Sequence, residues 1–351
     1  MPKDTTPATK TNPGRFFEDY RVGDVIEHAV PRTVSGGEQA LYHALYPSRH
    51  ALYSSDEFAR ACGLPKSPLD DLAAFHIVFG KSVPDVSLNA VANLGYAEAR
   101  WLRPVYAGDT IRASSEVIGL KQNSSGKTGV VYVRTTGRNQ HGLAVMEFAR
   151  WVMVRKRDLD APAPETVLPD LAPAVDPGML VIPGDLDFSA YDFTQAGEPH
   201  RLSDYAVGEI IDHVDGVTIE EAEHMMATRL WQNTSKTHFD ATPREDRKRL
   251  IYGGHVMSMA RALSFNGLAN AQCIAAINAG SHANPCFAGD TVRAWSEVLD
   301  AARTRAPGVG AIRLRLVATK DGAEVGALKN EDGKYRPDVL LDLDYWALMP
   351  T

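Results

Sequence analysis

Cysteine is scarce in this chain of 351 residues. Cys62, Cys273 and Cys286 are the complete set, odd in number and widely scattered. They form neither a disulfide framework nor a metal-ligand spacing, which fits a cytoplasmic setting. No apolar run approaches the roughly 20 residues of a membrane-spanning helix. Long basic runs are lacking too, and the formal net charge is -7, so a nucleic-acid partner is not expected. The N-terminal stretch MPKDTTPATKTNPG has no apolar core of an export signal and reads as a polar lead-in. What is left is a globular composition, 44% hydrophobic and 23% charged, in a chain long enough for two domains.

The chain also repeats itself. Asp19-Tyr20 with Val22-Gly23, Ile26 and His28 returns as Asp204-Tyr205 with Val207-Gly208, Ile211 and His213. PVYAGDTIRASSEV, from Pro104 to Val117, returns as PCFAGDTVRAWSEV, from Pro285 to Val298, with ten of fourteen positions identical. Two copies at so long a period mean tandem domains and not a solenoid. Pro162, Pro164, Pro169, Pro173 and Pro177 mark a linker that stays extended and packs no core of its own. The expected units are therefore a first domain over 12–157, a linker over 158–198 and a second domain over 199–351.

Each copy reads in one order: a strand, a helix start, a loop, a long helix and then more strands. Capping-box spacing occurs at Ser35-x-x-Glu38 and Thr218-x-x-Glu221. Val256, Met259, Ala260, Leu263 and Gly267 follow helical spacing and predict one buried face, with Arg261 elsewhere on the wheel. Val131, Val133 and Thr135 alternate with Tyr132, Arg134 and Thr136, and Ile312, Leu314 and Leu316 alternate with Arg313, Arg315 and Val317. Such period-two alternation predicts half-buried antiparallel strands. One apolar helix followed by such strands implies an α+β fold in which the sheet wraps the helix.

The richest stretch for chemistry is WQNTSKTHFD, from Trp231 to Asp240, followed by Tyr252-Gly253-Gly254-His255. Asn233 and His238 lie on an expected irregular loop, and a long helix is expected to start at Gly254 or His255. An imidazole titrates near working pH and can move a proton. A glycine-opened helix N-terminus can meet a developing negative charge. Against this, a lone histidine near a core is commonly structural, and an Asn commonly braces its own loop. Asp240 is read as a solvated loop carboxylate. Gly126-Lys127-Thr128 lacks the glycine a phosphate loop needs, and His224, His238, Asp240 and His255 lack a metal-protease spacing.

QNTSKTHFD, YGGHVMSMARALSFNGLANA, INAGSHANPCFAGDT, FHIVFGKSVPDVSLNAVANLGYA and RWVMVRKRD resemble the mesaconyl-CoA hydratases, or β-methylmalyl-CoA dehydratases. These are double hot-dog members of the MaoC-like dehydratases. The resemblance implies a tandem hot-dog fold, each copy an antiparallel sheet around a central helix. It implies a hydro-lyase that reversibly hydrates mesaconyl-CoA, an acyl-CoA thioester, with no metal or redox cofactor. A homo-oligomer is expected. Other readings are an (R)-specific enoyl-CoA hydratase for other acyl chains, a hot-dog thioesterase and a non-catalytic acyl-CoA-binding module.

The MaoC motif Asp-x-Asn-Pro-x-His places its histidine on His238 and its aspartate position on Asn233. An amide cannot take a proton, so His238 is expected to act alone as base and then acid while Asn233 orients water. Gly254 is expected to supply a backbone donor, with Gly253 and His255 beside the substrate. Arg229, Lys236 and Arg261 are the expected candidates for the free carboxylate of the substrate, Arg229 first, with Arg229 and Lys236 placed in the site. On the first copy the motif falls on Ser48 to Tyr53, and Gly253-Gly254 corresponds roughly to Leu72-Ala73. That copy is expected to have lost its polar set and to shape the tunnel, which leaves one active site per chain.

Overall fold

Alternation of side chains along the strands sets the architecture. In the computed structural model, which describes residues 10–322 and 324–351, Val131, Val133 and Thr135 are buried, while Tyr132, Arg134 and Thr136 are only half-covered. Ile312, Leu314 and Leu316 are buried in the same way. Val317 departs from the pattern, because the opposite face is covered there by a small cluster with Trp295 and Val339.

The first half runs β1 (Val25–Thr33), α1 (Gly36–Leu45), α2 (Ala51–Ser54), α3 (Asp56–Ala61), α4 (Asp71–Ser82), β2 (Ala90–Trp101), β3 (Thr110–Gln122), β4 (Thr128–Arg138) and β5 (Ala144–Arg155). After the short helix α5 (Phe193–Ala196), the second half runs β6 (Ile210–Thr218), α6 (Glu221–Leu230), α7 (Lys236–Phe239), α8 (Gly253–Leu263), α9 (Phe265–Leu268), β7 (Cys273–His282), β8 (Thr291–Arg303), β9 (Val309–Lys320) and β10 (Val339–Pro350). The strands form one sheet in the order β1-β3-β4-β5-β2-β7-β10-β9-β8-β6, antiparallel throughout. That order reads alike from either edge once β6 is matched with β1, β8 with β3, β9 with β4, β10 with β5 and β7 with β2. A pseudo-twofold axis therefore passes between β2 and β7, where Tyr96 faces Gly280 and Ala97 faces Ala279.

Each half curls its strands around one helix, α4 against β1, β3 and β4, and α8 against β6, β8, β9 and β10. The fold is thus the α+β tandem arrangement expected. The helices differ from expectation in one respect: both are buried all round, Leu72 through Ser82 and Gly254 through Leu263. Their own sheet covers one side and the other half of the molecule covers the rest. His76 Nε2 lies 2.7 Å from Ser258 Oγ and ties α4 to α8.

Several local readings are corrected. α8 starts at Gly253, a residue earlier than expected, and Gly267 lies beyond its end at φ +97°. Arg261 is buried, with Nη1 donating to Ser264 Oγ at 3.0 Å. The Ser35 capping box forms, with Gly37 N–H donating to Ser35 Oγ and Ser35 N–H to the Glu38 carboxylate. Its counterpart does not form. Thr218 ends β6, bonded through Oγ1 to Thr291 Oγ1 at 2.8 Å, and α6 begins without a side-chain cap.

Residues 158–198 carry only two short helical turns, Pro177–Met179 and α5, and are otherwise irregular, yet they do enter a core. Val175, Leu186, Phe188 and Tyr191 pack with Leu52, Phe58, Trp346 and Leu348, and Trp346 Nε1–H donates to the Val175 carbonyl at 3.0 Å. The apolar residues after the prolines strap this segment to the molecule. Among the described residues no helix is long and apolar enough to cross a membrane.

Candidate active site

The site begins where α6 stops. His224, Ala227, Thr228 and Leu230 bury one face of α6. Gln232, at φ +54°, then turns the backbone so that Asn233 N–H donates to the Thr228 carbonyl at 3.0 Å. The turn rests on α4 of the first half at Gly80, where any Cβ would overlap the Trp231 carbonyl. Asn233 is 1% exposed, and its Oδ1 accepts a bond from Ser235 N–H at 3.3 Å.

His238 lies on α7, a single helical turn where a loop was expected. Its Nδ1 is 2.7 Å from the Leu250 carbonyl. A carbonyl can only accept, so Nδ1 carries the proton and Nε2 keeps its lone pair. Burial holds this imidazole below its ordinary pKa, opposed by the bond to Leu250. It is a neutral imidazole with a free acceptor at Nε2.

Asn233 and His238 both line a cavity of about 290 Å³ between the two halves. Tyr252, the residue before α8, sends its own N–H to His224 Nε2 at 2.9 Å. The N–H groups of Gly253 and Gly254 find no acceptor among the described residues, as expected for the first turn of a helix. Gly253 lines the cavity and Gly254 does not. A Cβ at Gly253 would come within 2.5 Å of the His282 ring, whereas one at Gly254 would meet Tyr252 and His76. Of the two glycines expected in the site, Gly253 is the one at the cavity wall.

Other expected site residues do not line the cavity. His255 is fully buried away from the cavity, its Nδ1 2.9 Å from Tyr46 Oη. Arg229 is exposed because it falls on the outer face of α6, and Lys236 is exposed at the start of α7. Neither lines the cavity, nor does Arg261, whose charge partly offsets the rise that burial gives the Asp70 carboxyl. Asp240 is exposed and accepts from Thr242 N–H, as a solvated loop carboxylate would.

The residues the sequence reading passed over come largely from the first half. Asn93, Tyr96 and Arg150 line the cavity along with His282 of β7. Tyr96 Oη is 3.1 Å from His282 Nε2. Both amide atoms of Asn93, His282 Nδ1 and Arg150 Nε are buried without partners, and orphaned polar groups around one cavity point to a polar ligand. A signal for Arg150 does exist. It is in phase with Phe148, Val152 and Val154, all buried, so a charge sits on the apolar face of β5. Burial lowers His76 and His224 to about 3 and His255 and His282 to about 4. Among the described residues no group of three or more His, Cys, Asp or Glu is placed to hold a metal ion.

A model of the mesaconyl-CoA hydratase family matches residues 5–325. The chain belongs to the mesaconyl-CoA hydratase family. A mesaconyl-CoA hydratase of Cereibacter sphaeroides is 73% identical over 341 residues, covering 97% of this chain and 99% of that one. The crystal structure of a MaoC domain protein dehydratase from Chloroflexus aurantiacus superposes with a TM-score of 0.95 at 55% identity, over 98% and 99% of the two chains. A double-hotdog protein of Mycobacterium tuberculosis, 23% identical, shares the fold at a TM-score of 0.73 over 95% and 98%.

In this member of the mesaconyl-CoA hydratase family the pseudo-twofold axis also gives the cavity a counterpart of about 30 Å³ lined by Tyr53, Asp71 and Trp101. Tyr53 is the third residue of α2, as His238 is of α7. Asp71 is the first residue of α4, as Gly253 is of α8, which shifts the expected correspondence by one. Trp101 stands where the repeat places His282. The first copy has not lost every polar group. Tyr53 Oη donates to the Asp71 carboxylate, which also accepts Ile274 N–H at 2.7 Å. Burial pushes Asp71 up to about 7. The pair and the indole fill the space that lies open in the second copy.

Proposed function

We propose that the chain catalyses reversible hydration of mesaconyl-CoA to β-methylmalyl-CoA, with His238 as the proton carrier. The observation that carries this is a neutral His238, its tautomer fixed by Leu250, sharing one cavity with Asn233 and the N-terminus of α8. Asn233 and His238 Nε2 hold a water. As the water oxygen bonds to C3, His238 Nε2 takes one of its protons, and the double-bond electrons move onto the thioester oxygen. The Gly253 N–H, with that of Gly254 behind it and the helix dipole, stabilises this enolate. His238 then returns the proton to C2, and dehydration retraces these steps. One oxyanion donor contributes about 3 kcal/mol and one positioned base about 10²–10⁴ in rate.

The proposal includes a cytoplasmic setting, no metal or redox cofactor, and self-association, which sedimentation velocity would measure. Incubation with mesaconyl-CoA should remove the enoyl-thioester absorbance without releasing free CoA thiol. Thiol release would instead mean a thioesterase, and binding without an absorbance change would mean an acyl-CoA-binding module.

A further inference from the structure

Arg150 is 0% exposed on β5, in register with Tyr96 of β2, and lines the same cavity as His238. Its guanidinium has no carboxylate partner among the described residues. Nη2 donates to Ser82 Oγ at 2.7 Å, contacts to Ser87 Oγ are long at 3.5 Å, and Nε–H has no acceptor. The Phe79 ring lies 4.3 Å from its central carbon and holds the plane in place. Burial lowers its pKa to about 10, which still leaves it charged at neutral pH.

A buried, unpaired cation is costly unless an anion arrives to meet it. The other buried arginine, Arg261, has Asp70 near it; Arg150 has only hydroxyls and an aromatic face. We propose that Arg150 is the receptor for the free carboxylate of a dicarboxylic acyl thioester, which makes the cavity selective for an anionic acyl group. Its unpaired Nε–H and the second hydrogen on Nη2 present a planar pair of donors, the geometry a carboxylate accepts. Arg150 therefore takes the role that the sequence reading gave to Arg229, Lys236 or Arg261. The carboxylate of mesaconyl-CoA is attached to C3, so its anchoring also fixes the carbon that water attacks.

This assignment rests on the hydratase reading, and one experiment separates the two. The ratio of kcat/KM for mesaconyl-CoA over tiglyl-CoA, in which a methyl group replaces the carboxylate, is measured for wild type, Arg150→Met and Arg150→Lys. Wild type is expected to favour mesaconyl-CoA. Arg150→Met should lower the ratio about tenfold or more, mainly by slowing mesaconyl-CoA. Arg150→Lys keeps a buried cation, so it tests the idea even if the Met variant does not fold, and should lower the ratio roughly threefold. Wild type that prefers tiglyl-CoA overturns the mesaconyl-CoA hydratase reading itself. Wild type that prefers mesaconyl-CoA, with the ratio unchanged in a folded variant, overturns only the role of Arg150.

Discussion

Gly80 of α4 lies directly against the backbone carbonyl of Trp231, two residues before Asn233. The contact crosses between the halves, so the helix of the copy without the His238 site buttresses the turn that holds Asn233. Glycine is required there because no side chain fits between helix and turn.

Gly80→Ala should displace the Trp231–Asn233 turn while the rest of α4 stays packed. Misplacing a water-holding group by about 1 Å can cost on the order of 10² in rate. The expected outcome is a loss of kcat of at least about tenfold with an unchanged far-UV circular dichroism spectrum. A variant as active as wild type would show that the turn does not depend on its seat.

His238→Ala should remove most turnover, a loss of about 10²–10⁴, because His282, the other imidazole lining the cavity, is held at about 4 by burial and is the weaker base. Asn233→Ala should leave measurable activity, since it only positions water. Single-turnover rates for both variants decide this, and an equal or greater loss at Asn233 would reverse the roles.

Burial holds His238 below its ordinary value of 6.5, so its base form persists below that pH. The acid limb of kcat/KM for hydration should therefore lie below pH 6.5. Stability changes in the same direction. His76, His224, His255 and His282 titrate at about 3 to 4 when folded, against 6.5 when free. The unfolded chain therefore takes up protons first, and their contribution, complete above pH 6.5, drains away as pH falls toward 4. Asp71 acts oppositely, its contribution being lost as pH rises through about 7. Asp70 and Glu198 are raised as well, but His43, His50 and His213 are lowered too. The imidazoles outweigh the carboxyls, so Tm should fall between pH 6.5 and 4, and a flat Tm there would contradict the burial of this cluster.

What was legible in the sequence was whatever periodicity or repetition encodes. The duplicated PxxAGDT segment announces two halves, and the alternation around Val131 and Leu314 announces their strands. Asn233 and His238 were legible because they are close in sequence. Asn93 and Tyr96 were not, since they reach the cavity from another half of the chain through strand pairing across the pseudo-twofold axis. Arg150 showed only as a charge on an apolar strand face, with nothing in the sequence to place it at the cavity. Arg229 and Lys236 misled for the complementary reason: they are near the site in sequence but on outward faces of α6 and α7. Thr218 shows that capping-box spacing alone does not start a helix when the residue is already held in a strand pair.

One site per chain is the outcome expected from the contrast between the two cavities. Tyr53, Asp71 and Trp101 leave about 30 Å³ where the second copy has about 290 Å³. Titration with a non-reactive thioester analogue should saturate near one equivalent per chain, and two equal tight sites would be inconsistent with a filled first copy.

The two glycines of α8 should separate binding from folding. A Cβ at Gly253 would press on the His282 ring at 2.5 Å, moving a cavity wall and crowding the N–H proposed to meet the enolate. A Cβ at Gly254 would be wedged between Tyr252 and His76, inside the contact that joins the two halves. Gly253→Ala is therefore expected to lose activity, at least about tenfold if one oxyanion donor is disturbed, with little change in Tm. Gly254→Ala is expected to lower stability by about 1–3 kcal/mol through overpacking, seen in urea unfolding, with a smaller fractional loss of kcat in the molecules that stay folded. If instead Gly254→Ala is stable and inactive while Gly253→Ala is unaffected, the donor is the Gly254 N–H and the cavity wall at Gly253 is passive.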